Sequence, residues 1–220
     1  MTAALDRWRP APETAAAFVA LCALELAALA AYLWTAPVSV TAPRYVLYPF
    51  AWLNAAALAV WRVRLPDGSR RRRVGTLAVG AGYFLALAWV GGVLGPSHGS
   101  GVAVYWRLPP GWGPLVISEV GPIRAVLAPY KVAGYLALAY LVGVAVLDAD
   151  AGLAGGLVGA FSCVSCTLPL LATAVSSVAG GAVAFGSAAA WSYDLSTAAF
   201  LLAVALLVWR PDIGALGRLR

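Results

Sequence analysis

Charged side chains are scarce in this 220-residue chain: Asp, Glu, Lys and Arg together make up 11% of it, against about a quarter in soluble domains. Hydrophobic residues reach 62% and mean hydropathy is +0.85. A domain of this size still leaves roughly 30% of its unfolded surface in water, so one soluble core cannot hide so many apolar side chains. The composition excludes an ordinary soluble domain and predicts an integral membrane protein built from long apolar spans.

Histidine is nearly absent. His98, in "GPSHGSG", is the single one, which excludes haem held by two histidines and His-rich zinc or copper sites. Its turn-rich surroundings read as a solvated loop. Three cysteines give no disulfide framework of the secreted kind. The sequence holds no phosphate-cradling glycine loop, no catalytic triad and no cluster of carboxylates, so a non-catalytic role is expected.

What charge there is lies unevenly. The net charge is +6, and six arginines fall in "WRVRLPDGSRRRRVG", between Arg62 and Arg73. Such a block can be a nucleic-acid patch, but between two apolar runs it reads as a cytoplasmic loop obeying the positive-inside rule. No nucleic-acid partner is expected. Within the block, Arg70, Arg71, Arg72 and Arg73 are candidates for contact with anionic lipid headgroups. With the N-terminus inside, eleven arginines collect on the inner side and three (Arg44, Arg107, Arg124) on the outer.

Hydropathy predicts an all-α polytopic membrane bundle of about six transmembrane helices in one domain covering 1–220, with both termini cytoplasmic. The spans are expected at about 14–34, 45–61, 74–94, 124–147, 154–175 (kinked at Pro169) and 193–209. Residues 96–123 are left as the longest polar connection, holding "RLPPGWGP" and "SEVGP". The glycine-rich stretch "SVAGGAVAFGSAAAW" is expected to return as a short interfacial or re-entrant piece.

Ionisable residues within spans are costly and count as functional candidates. Glu25 in the first span and Lys131 in the fourth are placed by helix rise at matching depths, roughly 17–20 Å from the inner face, which predicts an intramembrane charge pair. A proton or ion relay through the same two residues is the alternative, as is a snorkelling Lys131 beside a protonated Glu25. Asn54, Tyr135 and Tyr140 are expected to bond across helices.

In "AFSCVSCTLPLL", Cys163 and Cys166 are spaced i, i+3 and share a helix face, with Pro169 loosening the backbone beside them. Cys22 falls near the same depth, and Glu25 follows it by three. Three readings stay open: inert packing thiols, a dithiol–disulfide redox pair, or a soft-metal site for Cu(I). The cofactor is otherwise unknown.

The stretches "PYKVAGYLALAYLVGVAVLD" (129–148), "FSCVSCTLPLL" (161–171) and "RYVLYPFAWLN" (44–54), with arginine used in place of lysine, resemble an uncharacterised family of haloarchaeal multi-pass membrane proteins. That resemblance brings a loose association with terminal-oxidase genes and implies a role near copper or haem assembly. The membrane cysteines also look like those of thiol-transporting membrane oxidoreductases. Those carry single cysteines on two different helices, whereas this chain pairs two on one. The expected function is therefore an accessory or assembly protein of a membrane redox system, in the cell membrane beside a redox-complex partner. It would handle electrons or Cu(I) through Cys163, Cys166 and Cys22. A small transporter or channel-like bundle using Glu25 and Lys131, or a structural subunit with inert thiols, are the alternatives.

Overall fold

The computed structural model describes residues 12–35, 43–64, 69–149 and 185–209. Within them the chain forms α1 (Pro12–Thr35), α2 (Pro43–Arg62) and α3 (Arg70–Val90). Strands β1 (Leu94–Pro96), β2 (Gly101–Tyr105), β3 (Leu115–Val120) and β4 (Ile123–Leu127) follow, then α4 (Pro129–Ala149) and α5 (Phe185–Trp209). Prolines open α1, α2 and α4, where the missing N–H costs nothing and the fixed φ suits the first helical turn. At the end of α3, Gly91 and Gly92 stop the helix, and Gly92 takes a φ of 72° that a side chain would resist.

The expected six-span, all-helical bundle is overturned. Among the described residues there are five helices and a four-stranded antiparallel sheet. Two helical stretches, Glu13–Thr35 and Arg73–Val90, are long and apolar enough to cross a membrane by length and composition. Pro129–Ala145 and Ser196–Val208 are apolar but shorter.

The sheet occupies the stretch expected to be a polar connection. "GVAVY", "LVISEV" and "IRAVL" are rich in β-branched residues, which suit a pleated surface. The strand order is β1-β4-β3-β2. Val120 pairs with Ile123 across a two-residue turn whose first position, Gly121, has a φ of 60°, the conformation a type II′ hairpin turn needs. Glu119 pairs with Arg124 in the same ladder, and their side chains meet at 3.5 Å. Because β4 uses Ile123–Leu127, the fourth helix starts at Pro129 and not near 124. The third ends at Val90, ahead of the expected 94. The last helix begins at Phe185, eight residues before the expected 193, so the end of the glycine-rich stretch is helical. The expected span at 154–175 and its kink at Pro169 lie outside the described residues.

α4 is the central helix and packs on α2, α3 and α5. Ala137, Leu138, Leu141 and Val144 are 3% exposed or less, as fits a helix apolar on all sides. Small residues let the neighbouring backbones approach. A Cβ on Gly80 would stand 3.2 Å from the Ala139 carbonyl oxygen, and one on Gly143 would stand 2.9 Å from the Thr76 methyl. Gly134 makes room for Trp52, whose ring stacks on Phe200 at 3.9 Å with 3° between planes.

The sheet is tied to the helices at one point above all. Pro49 lies inside α2 and has no N–H, so the Tyr45 carbonyl lacks its helical donor. The Trp112 indole N–H donates to that carbonyl at 2.8 Å. Gly111, at φ 88°, lies so close to Pro49 that a Cβ there would come within 2.6 Å of the proline's own. Val93, Leu94 and Leu115 continue the contact between the sheet and the buried core.

The packing predicts a contrast between two glycine substitutions. Gly134→Ala places a Cβ 2.5 Å from the Trp52 ring and should destabilise by about 1–3 kcal/mol. Gly82→Ala, on α3 with nothing within 4 Å of its Cβ, should stabilise by roughly 0.5–1 kcal/mol. Thermal unfolding of the two variants in detergent checks this: a loss at Gly82 as large as that at Gly134 contradicts the packing described.

Candidate functional site

The ends of α1, α2, α3, α4 and α5 that face the sheet carry most of the polar and aromatic contacts between elements. The Tyr32 hydroxyl, in the last turn of α1, donates to the Arg107 carbonyl at 2.9 Å. In the first turn of α2, the Arg44 guanidinium stands 3.6 Å from the Asp194 carboxylate of α5. It also lies 5.1 Å from the Tyr45 ring centroid. The Tyr48 hydroxyl donates to the same carboxylate. The Arg44 guanidinium also donates to the Tyr45 hydroxyl at 3.3 Å.

Behind this charged rim runs a continuous set of ring contacts. Tyr45 meets Tyr48 and Tyr193 edge-on at 5.9 Å each, and Trp112 meets Tyr193 at 5.9 Å and Tyr130 at 4.8 Å. Tyr130 meets Trp52 at 5.6 Å, and the Trp52 indole donates to the Thr197 hydroxyl at 3.2 Å. Edge-to-face pairs of this kind contribute about 0.5–1.5 kcal/mol each beyond area burial. The Tyr130 hydroxyl, on a residue 2% exposed, has no hydrogen-bond partner among the described residues.

The expected charge pair is corrected by the sheet. Lys131 sits in the first turn of α4, because β4 occupies the residues that were expected to begin that span. By helix rise it lies about 3 Å below the sheet end of its helix, whereas Glu25 lies about 15 Å below the sheet end of α1. Their partners are accordingly different. The Lys131 ammonium donates to the Gly91 carbonyl at 3.2 Å, a cation at the C-terminal end of α3 where the helix dipole favours it, and it lies 5.9 Å from the Tyr193 ring centroid. The Asn54 amide donates to the Glu25 carboxylate at 2.6 Å, and the Asn54 Oδ1 is buried without a partner among the described residues.

Of the residues expected to bond across helices, Asn54 does so with Glu25, and the Tyr140 hydroxyl donates to the Val63 carbonyl at 2.7 Å. Tyr135 meets the Trp52 ring at 5.8 Å. Cys22 is a free, half-buried thiol on α1. Cys163 and Cys166 lie outside the described residues. Arg70 and Arg73 are exposed in the first turn of α3, on the helix that also carries Arg71 and Arg72, and His98 is exposed between β1 and β2. No group of three or more His, Cys, Asp and Glu side chains placed to hold a metal occurs among the described residues.

The meeting of Arg44, Asp194, Tyr48 and Trp112 at one site escaped the sequence reading. Their signal was present as aromatic residues bunched beside charges and prolines, in "PRYVLYP", "GWGP", "PYK" and "WSYD".

Fold and site together define a protein of apolar helices closed at one end by a small antiparallel sheet and an aromatic, charged rim. The chain belongs to the family of unknown function DUF7546, which matches it over residues 1–214, in agreement with the expected uncharacterised family. Comparison with curated proteins and with solved structures gives no match.

The polar contacts lead to a double-mutant prediction. Glu25→Ala and Asn54→Ala should couple by about 0.5–2 kcal/mol, because one hydrogen bond joins them. Glu25→Ala and Lys131→Ala should add to within roughly 0.5 kcal/mol, as separate sites do. Chemical denaturation of the single and double variants in mixed micelles measures both. Strong coupling of Glu25 to Lys131 contradicts the separate partners.

Proposed function

We propose that this protein is a multi-pass integral membrane protein with a non-catalytic, accessory role. In this reading its helices lie in lipid and its sheet stands at the outer face. The observation that carries the reading is the surface of α1 and α3. Val19, Leu24, Leu26, Val74, Leu77 and Leu85 are each more than half exposed, an extent of apolar exposure that water does not tolerate and lipid does.

The ends of that surface support the same reading. Trp34 and Trp89 are exposed in the last turns of α1 and α3, at the sheet end. Arg62, Arg64, Arg70 and Arg73 fall at the opposite end, about 30 Å away by the length of α2. Aromatic anchors at one boundary and arginines at the other follow the interface and positive-inside rules, with the arginine end cytoplasmic.

The accessory part of the reading rests on the site. Arg44, Asp194, Tyr48, Glu25, Asn54 and Lys131 are each engaged with another element of the fold. Such contacts hold helices together and leave chemistry to a partner complex. A connection to redox chemistry, by electrons or Cu(I), is carried by the Cys163–Cys166 spacing and the free Cys22 thiol.

Two measurements test this. In a background with the three native cysteines changed to alanine, Ser100→Cys should react with an impermeant thiol reagent in intact cells and Ser69→Cys should not. The reverse pattern, or release of the protein by alkaline carbonate, overturns the membrane placement. For the accessory role, Cys163→Ser with Cys166→Ser should lower the copper bound to the purified protein or abolish its redox-dependent thiol labelling. If both are unchanged, the thiols are packing atoms and the redox reading fails.

A further inference from the structure

The segment joining β2 to β3 carries an apolar and cationic surface that the described residues leave uncovered. All five residues of β2 are exposed, and β2 is an edge of the sheet, paired with β3 on one side alone. Val102 is 67% exposed and Trp106 is 74% exposed. Val104, Tyr105, Trp106, Arg107 and Leu108 line an open groove of about 390 Å³. A large aromatic ring next to a cation, with valines behind, has a fixed chemistry. It suits a ligand with an anionic head and an apolar body.

The height of this groove identifies the ligand. Arg107 accepts a hydrogen bond from Tyr32 through its carbonyl, so the groove is pinned to the last turn of α1. The apolar stretch Glu13–Thr35 has 23 residues, or about 34 Å of helix, close to the ~30 Å of a hydrocarbon core. Tyr32 lies about 5 Å from the upper end of that stretch, at the boundary between acyl chains and headgroups. Trp34, 92% exposed, and Trp89, 58% exposed, stand in the corresponding turns of α1 and α3. Trp106 joins them as a third indole at the same end. Interfacial indoles of this kind sit at the level of the headgroups.

The geometry points to a phospholipid-binding groove. The β2–β3 segment lies in the interface of the outer leaflet, with Trp106 and Tyr105 at the acyl-chain boundary and the Arg107 guanidinium on a lipid phosphate. The sheet then lies on the membrane surface, and lipid covers the apolar residues of β2. The occupant is the bilayer itself. The exposed Arg107 complements its phosphates, and the groove adjoins the lipid-facing surface proposed for α1, to which Tyr32 ties it.

This inference rests on the membrane reading, and the test separates the two. The full chain is reconstituted in phosphatidylcholine vesicles containing phosphatidylglycerol and lipid brominated high on the acyl chain. The fluorescence lost on Trp106→Phe and on Trp34→Phe is measured as a difference from the parent. Quenching of both components by the brominated lipid is the expected result. Quenching of the Trp34 component alone leaves the membrane reading standing and overturns the groove, whose face would then be open to a soluble partner adding a strand to β2. Quenching of neither overturns both. As a second readout, Arg107→Gln should lower retention of phosphatidylglycerol on the purified protein about fivefold, the effect of removing one interfacial cation. Unchanged retention removes Arg107 from the phosphate.

Discussion

One proline inside a helix organises the sheet end of this molecule. Pro49 removes an N–H from α2 and leaves the Tyr45 carbonyl without its partner. In an apolar environment an unmet carbonyl costs several kcal/mol, so some other donor must reach it. Trp112 supplies that donor at 2.8 Å, and much else is arranged so that it can. Gly111 has no side chain because Pro49 lies against it. The Trp112 ring, once fixed by its N–H, becomes the surface on which Tyr130 and Tyr193 pack. Those two residues belong to α4 and α5. A single displaced hydrogen bond thus brings the sheet connection and three helices to one place.

Below that point, polar groups inside the helical body are used as fasteners. α1 meets the rest through few contacts and exposes most of its length, yet Glu25 finds Asn54 at 2.6 Å and Tyr32 finds the Arg107 carbonyl at 2.9 Å. Hydrogen bonds between helices in apolar surroundings contribute modestly, averaging about 0.6 kcal/mol. They fix which face of α1 turns inward where apolar packing does little to choose. Lys131 acts in the same way on the end of α3. Glu25 and Lys131, which the sequence singled out as chemical candidates, make orienting contacts of this kind.

The apolar character of the helices could be read from the chain, because runs of alanine, leucine and valine of the length of α1 and α3 admit few other readings. The sheet was hidden for a physical reason. Its strands are three to six residues long, and prolines and glycines lie between them, so a window wide enough to detect a span averages them into a polar connection. The β-branched residues of "LVISEV" and the Gly–Pro turn after it were legible, but only at the scale of a hairpin. The depth of Lys131 followed from that omission: once β4 takes Ile123–Leu127, the lysine moves from the middle of a span to its first turn. The aromatic rim was missed because its members come from four separate segments. Nothing in the order of residues joins Arg44 to Asp194, 150 positions apart.

The two ends of the helical body differ in what holds them. At the arginine end, charge is concentrated at the last turn of α2 and the first turn of α3, where like charges repel and favour solvent or anionic headgroups as their surroundings. At the sheet end, cations are fewer and three of the four are held, Arg44 by Asp194 and Tyr45, Arg124 by Glu119, and Lys131 by Gly91, while the Arg107 side chain is exposed. Held cations cost less to bring near apolar surface than free ones, because their charge is already met by protein groups. That asymmetry allows aromatic rings and a β-sheet to lie against the apolar helices at one end and not at the other. In the membrane reading proposed above, the end with the fewest net charges is the one able to carry folded structure close to lipid, and the sheet is at that end.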